Sequence, residues 1–279
     1  MSEDKSPQVE GPKEVIKAPK KKMFADRFGR WVRRIAWVLI CLIPLYFIIS
    51  ALGTRWGWWN ITTGIVDLPK ASVPLIIATL IAGVISLFTT LLSKNKHKGL
   101  LVSAVAILVP AAAMGSLIKT QSKVSNLPFI HDITTDTQSV PTFTKTILDL
   151  RAQTEGANNV DYIGKKDARD KELYAVLQTR AYPDIRPLIL SGDPAQVFGQ
   201  ALATTEQMGW TVHTQDIDSG LIEATATSFW YGFKDDIIIR IRAGEGGGSV
   251  LDMRSTSRVG QSDLGANAKR IRKFVKALN

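Results

Sequence analysis

Arginines and carboxylates recur near the C-terminus at a spacing that could organise an anion. Between residues 221 and 259 three runs have the two-residue period of strands with one buried face. One side of that pattern carries Glu223, Thr225, Thr227, Arg240, Arg242, Asp252, Arg254, Thr256 and Arg258. If the strands pair in sequence order, Arg240 falls between Glu223 and Asp252. Two readings compete for this face. Cross-strand ion pairs on a solvated sheet stabilise by about 0.2–1 kcal/mol each. Alternatively, guanidinium forks match carboxylate and phosphate oxygens, and four arginines against two carboxylates leave a positive surplus for an anionic ligand. On that second reading the binding residues are Arg240, Asp252, Arg254 and Arg258.

Other reactive constellations are weaker. Asp235 and Asp236 are neighbours on a strand, point to opposite faces and should not share a proton. His131, Asp132 and Asp136 supply only three ligands, too few for a confident metal centre, and capping or solvated roles suit them better. The glycine-rich stretch 244–248 leads into a strand rather than a helix N-terminus, so it reads as a hairpin connection and not a phosphate cradle. Ser255, Ser257 and Ser262 have no obvious histidine partner among His97, His131 and His213. A Ser-His-Asp device is therefore not expected. Cys41 is the single cysteine and lies in an apolar run, which excludes an intramolecular disulfide and a Cys/His metal site. No catalytic residue, cofactor or metal is assigned.

The elements that must position the arginine face are a sheet and its covering helices. Ile237, Ile239 and Ile241 alternate with Asp236, Ile238, Arg240 and Arg242, and Leu251 and Met253 alternate with Asp252 and Arg254. A closing helix with Leu264, Ala268, Ile271, Phe274, Val275 and Leu278 on one stripe can cover that apolar side. Upstream, Asp193-Pro194 predicts an N-cap followed by a helix carrying Val197, Phe198, Ala201 and Leu202. Strands are expected at 210–216 and 221–227 around the turn Asp218-Ser219-Gly220. A further helix is expected over 167–179, ending near Tyr182 because Pro183 follows. The expected fold is an α+β domain with an antiparallel sheet of about four strands and helices on one face.

Before it come three apolar spans, 35–52, 73–92 and 100–118, none containing Asp, Glu, Lys or Arg. At 1.5 Å per residue each nears or reaches the ~30 Å thickness of a hydrocarbon core. A cleaved signal peptide is the rival for the first, but more than thirty residues precede it. Trp31, Trp37, Trp56, Trp58 and Trp59 flank that span as interfacial anchors should, a ligand-binding aromatic cage at the last three being the lesser alternative. Pro44 and Pro110 are expected kinks. The resulting divisions are a basic tail, 1–34, whose first 22 residues have the composition of a disordered segment; a membrane domain, 35–118; a polar connector, 119–165, with a short helix near Phe143 to Leu150; and the α+β domain, 166–279.

The net charge of +10 is unevenly placed. Up to residue 120 there are 16 Lys or Arg and 6 Asp or Glu, whereas the remainder has 19 of each. The C-terminal half thus lacks the positive field of a nucleic-acid-binding domain, and no nucleic acid is expected as partner. Eight cations between Lys17 and Arg34 and three at Lys94, Lys96 and Lys98 place the N-terminus and second loop in the cytoplasm. Three crossings then put the C-terminal domain on the opposite side, the periplasm of a Gram-negative cell.

Several spaced motifs resemble the bacterial domain-of-unknown-function 1499 family. They include Tyr182-Pro183-Asp184-Ile185, Gly209-Trp210, Gly220-Leu221-Ile222-Glu223-Ala224, Phe233-Lys234-Asp235-Asp236, Asp252-Met253-Arg254-Ser255, Ser257-Arg258-Val259-Gly260 and Asp263-Leu264-Gly265-Ala266-Asn267. The run from His131 to Asp136 is similar to that family's opening. The resemblance covers about 128–279 and implies an envelope-associated domain without an assigned activity. The leading expectation is a multi-pass inner-membrane protein, embedded in the lipid bilayer, whose periplasmic domain binds an envelope protein or anionic envelope ligand without catalysis. A hydrolase acting on an anionic lipid or glycan and an accessory subunit of a membrane complex are the alternatives.

Overall fold

The computed structural model describes residues 20–93 and 96–278, so most of the basic tail and Lys94 lie outside the described residues. The chain divides into two compact units. One gathers the chain up to Tyr46 with Ala71–Gly115, the other Phe47–Lys70 with the chain from Ser116 onward.

Three helical stretches are long and apolar enough to cross a membrane: Asp26–Arg55, Thr63–Leu91 and Gly99–Lys119. The first belongs to α1 (Lys20–Arg55), which starts at Lys20, inside the stretch expected to be disordered. The second joins a π-helical turn (Thr63–Asp67), α2 (Leu68–Ala71) and α3 (Val73–Leu91), and the third lies in α4 (Lys96–Ser125). Pro44 and Pro110 sit inside continuous helices. Small and hydroxylic residues let α3 and α4 approach closely, as in membrane bundles. A Cβ on Gly83 would stand 2.9 Å from the Ala106 carbonyl carbon. Beside it, Ser86 and Ser103 share a buried 2.8 Å hydrogen bond.

The C-terminal domain is the expected α+β fold with additions. Its strands are β1 (Asp132–Thr134), β2 (Leu188–Leu190), β3 (Thr211–Asp216), β4 (Leu221–Thr227), β5 (Lys234–Ala243) and β6 (Ser249–Ser257). The order is β1-β6-β5-β4-β3, all antiparallel, with β2 sharing the outer edge of β6 with β1. At the β3–β4 turn, Gly220 has φ +67°, and a Cβ there would lie 2.2 Å from the Ile241 carbonyl oxygen. On one face Ile222, Ile237, Ile239, Ile241, Leu251 and Met253 are buried beneath α7 (Pro194–Gln207) and α8 (Ala266–Leu278). The Asp193 carboxylate caps α7 by accepting from the Gln196 amide at 2.9 Å, as its sequence predicts.

Two helix boundaries differ from expectation, each because an aspartate caps a turn first. Asp167 accepts the amides of Arg169, Asp170 and Glu172, so α6 starts only at Tyr174 and runs to Ala181. Asp263 accepts those of Gly265 and Asn267, which leaves Leu264 exposed at φ +53° and outside the apolar stripe of α8.

The connector expected over 119–165 contains β1 and, close to the short helix expected near 143–150, α5 (Lys145–Ala152). With the adjoining coil, α5 covers the second face of the sheet. Phe143 and Ile147 pack on Ile238, the one apolar residue among the polar positions of β5 on that side. The face expected to meet water is therefore roofed.

Candidate functional site

Register decides which polar groups meet under this roof. Arg240 stands opposite Leu221 on β4 and Asp252 on β6, while Glu223 stands opposite Ile238. The expected Arg240–Asp252 contact forms and the contact with Glu223 does not. Instead the Glu223 carboxylate accepts the Thr144 amide (2.6 Å), the Thr144 hydroxyl (2.5 Å) and the Thr214 hydroxyl (2.7 Å), fixing the start of α5 to the sheet.

Three arginine–carboxylate groups occupy the layer. In the first, Arg254 donates to both oxygens of Asp132 on β1, at 3.0 and 2.7 Å. Two further donors reach the carbonyls of Pro141 (3.0 Å) and Val160 (2.5 Å), and its guanidinium lies over the rings of Phe143 and Tyr162. In the second, Asp236 receives Arg258 at 2.8 and 2.9 Å, Arg151 of α5 at 2.7 Å and the Thr225 hydroxyl at 2.8 Å. In the third, Asp252 Oδ2 accepts Arg240 at 2.8 Å and Arg242 at 2.5 Å. The Asp252 Oδ1 atom is buried without a partner among the described residues.

Burial separates these groups. Arg254 and Arg258 are 1% and 4% exposed and their carboxylate partners 0%, so both charges are met inside the domain. This corrects the expectation of an open contact at Arg254 and Arg258. The cause is the cover over this face: the carbonyls of Pro141 and Val160 take donors of Arg254, whereas Arg258 is met by Asp236 and the Thr225 hydroxyl, with Arg151 of α5 on the same carboxylate. Only the third group opens outward, with 19% of the Arg240 side chain and 47% of the Arg242 side chain exposed. Arg240 also donates to the Ser139 carbonyl at 2.6 Å and lies 3.9 Å from Asp136.

Sequence reasoning missed Arg151 and Asp132 as members of this layer. The alternation of β6 assigned Arg254 and Arg258 to the right face, but nothing local to 132 or 151 announces partners 122 and 85 residues away. Asp235, as expected, points to the other face, where it pairs with Arg270. His131, Asp132 and Asp136 have separate jobs: the last accepts the amides of Gln138 and Ser139. Among the described residues no group of three or more His, Cys, Asp or Glu is placed to hold a metal.

Two groups nearby have displaced acidities. Burial, aided by Lys165, pushes the His131 imidazole down to about 4; its ring packs edge-on against Tyr174 and its Nδ1 is unpartnered among the described residues. Burial raises Asp263 to about 6 against the pull of its two amide donors. Neither these groups nor Asp236 and Asp252 line any of five clefts of about 280–540 Å³ on the domain. The largest lies beside the third arginine group, bounded by Gln138, Ser139, Val160, Asp161 and Tyr162, with Arg254 at its base. What the layer does chemically is hold: three carboxylates orient five guanidinium groups, and these pin the coil of the roof to the strands.

Fold and site thus define a protein with three helices fit to span a membrane and an antiparallel α+β domain that seals an arginine–carboxylate layer inside. More than half of the chain, residues 132–278, matches the family described as Protein of unknown function (DUF1499), and the chain belongs to that family. The match opens at Asp132, the partner of Arg254. No curated protein matches the chain.

Proposed function

We propose that this is an inner-membrane protein holding its C-terminal domain in the periplasm, where the domain binds an anionic envelope component or partner protein without catalysis. The sidedness rests on the cations that flank the first span and the second loop. The contact rests on one observation: Arg240 and Arg242 converge on the single carboxylate of Asp252 at the open end of an otherwise closed layer. Two guanidinium groups on one carboxylate leave donors and positive charge for an incoming anion. Arg254 serves this site from below, by fixing the coil that forms the adjoining cleft.

Photocrosslinking in living cells from the full chain, with a photoreactive residue replacing Gln138 beside the cleft, tests the assignment. The expected result is a discrete adduct that disappears in the combined Arg240→Gln, Arg242→Gln background while the domain stays folded. An adduct indifferent to those substitutions, or none, removes the arginine pair as the contact.

A further inference from the structure

The arginine layer leaves unexplained an aromatic loop on the far side of the domain from the β5–β6 hairpin. Between β4 and β5 the chain reads Ser228-Phe229-Trp230-Tyr231-Gly232-Phe233. Phe229 is 74% and Trp230 52% exposed, although their rings pack edge to face with centroids 5.2 Å apart. Two large aromatics at a loop tip, with the solvent they exclude, call for a covering surface.

The covering surface is indicated by what the loop is tied to. Arg55, the last residue of α1, donates to the carbonyls of Ser228 (3.1 Å) and Phe229 (2.5 Å) and lies over the Phe229 ring. The same residue ends the first membrane-crossing helix. Its neighbours Trp56 and Trp58 are 58% and 62% exposed, with ring centroids 5.1 Å apart. Trp59, by contrast, is structural. Its indole donates to the Ser50 carbonyl and lies so close to Gly53 that a Cβ there would come within 2.1 Å of the ring. Two exposed aromatic pairs, one at the end of a span and one hydrogen-bonded to it, thus share a neighbourhood with the cations Arg55 and Lys234. Aromatic rings with nearby cations are the composition of a membrane–water interface.

Chain connectivity agrees. An odd number of crossings returns the chain after α4 to the side on which Arg55 emerges, and the bonds from Arg55 to the β4–β5 loop require that arrangement.

We propose that Phe229 and Trp230 insert into the interfacial region of the bilayer that the protein itself spans, beside Trp56 and Trp58, so that lipid is the surface that covers this loop. The inference holds whichever membrane and side carry the domain, and it does not depend on the anion contact at Arg240 and Arg242.

The test uses the full chain with Cys41→Ala, reconstituted in bilayer discs of phosphatidylcholine and phosphatidylglycerol. A nitroxide is attached in turn at Phe229→Cys, at Trp230→Cys and, as an aqueous reference, at Glu245→Cys in the β5–β6 hairpin. Collision with oxygen, which partitions into lipid, is compared with collision with a water-soluble nickel chelate. The expected result is an oxygen-to-nickel ratio several-fold higher at 229 and 230 than at 245. A ratio equal to that at 245 overturns the proposal. Low collision with both reagents overturns it too, in favour of a second copy or another protein as the cover. Two label sites guard against a local disturbance at either, and unchanged melting of each labelled protein establishes folding.

Discussion

At the scale of single residues, the domain depends on charges that have left water. Desolvating an ion pair costs nearly what the pair returns, but removing one partner strands the other, typically for 3–5 kcal/mol. Arg254→Met should therefore lower stability by about 3–5 kcal/mol. Combining it with Asp132→Asn should cost at least ~1 kcal/mol less than the sum of the two single changes, because the same pair is removed twice. Thermal and urea denaturation of the purified full chain in detergent checks both values. Arg254→Lys should resemble Arg254→Met, since an ammonium cannot serve two carboxylate oxygens and two carbonyls from one planar fork. A second residue-scale prediction concerns acid. The imidazole of His131 is held near 4, below its ordinary 6.5, so the unfolded chain takes up the proton first and stability falls as pH drops from about 6.5 to 4. Asp263, raised to about 6 from 3.8, does the reverse: the folded chain binds the proton first and gains stability between about 6 and 4. Each effect approaches ~3 kcal/mol at full amplitude, less for Asp263, which keeps an edge in solvent. The two should largely cancel in the native protein. His131→Gln should become more stable on acidification from pH 7 to 4.5, and Asp263→Asn less stable, measured as the pH dependence of the melting temperature.

Among the elements, β1 is the one most in need of support, for three residues on a sheet edge make few bonds of their own. Gln178 on α6 supplies the missing neighbour: its side-chain amide accepts from the Thr134 N–H at 3.0 Å and donates to the Thr134 carbonyl at 2.6 Å, as a further strand would. Gln178→Leu should leave both backbone groups buried and unpaired, at about 1–3 kcal/mol apiece. Amide exchange at Thr134 should quicken far more than at Ile239 in the sheet centre. Elements of this kind mark the limit of what alternation reveals. Strands β4, β5 and β6 and helices α7 and α8 were legible because their apolar residues recur at one period over seven residues or more. By contrast, β1 and β2 have three residues each, too few for a period, and while α5 was legible as a short helix, the reach of its Arg151 and of Thr144 to distant carboxylates was not. The arginine face was legible as a face and not as an interior, since its cover lies in a stretch whose composition reads as a polar connector. A polar strand face says that something polar meets it; it does not distinguish water from a coil bearing carbonyls.

For the molecule as a whole, the expected arrangement is testable without knowledge of a ligand. A phosphatase that matures only outside the cytosol, fused after Asn279, should be active in a Gram-negative host, and a fluorescent protein that folds only in the cytosol should stay dark there. The opposite pair of signals would reverse the sidedness argued from Lys17 to Arg34. The join between membrane helices and domain carries a further consequence. Helix α4 runs to Ser125 and β1 starts at Asp132, so residues 126–131 alone separate them, a leash of roughly 20 Å if fully drawn out. A second strap is the grip of Arg55 on the β4–β5 loop. In the proposed membrane arrangement, a module so short-tethered should stay beside the bilayer. On that proposal its partner is met at the lipid surface, and lengthening that leash with a flexible insert should extend its reach only if the Arg55 strap is cut as well.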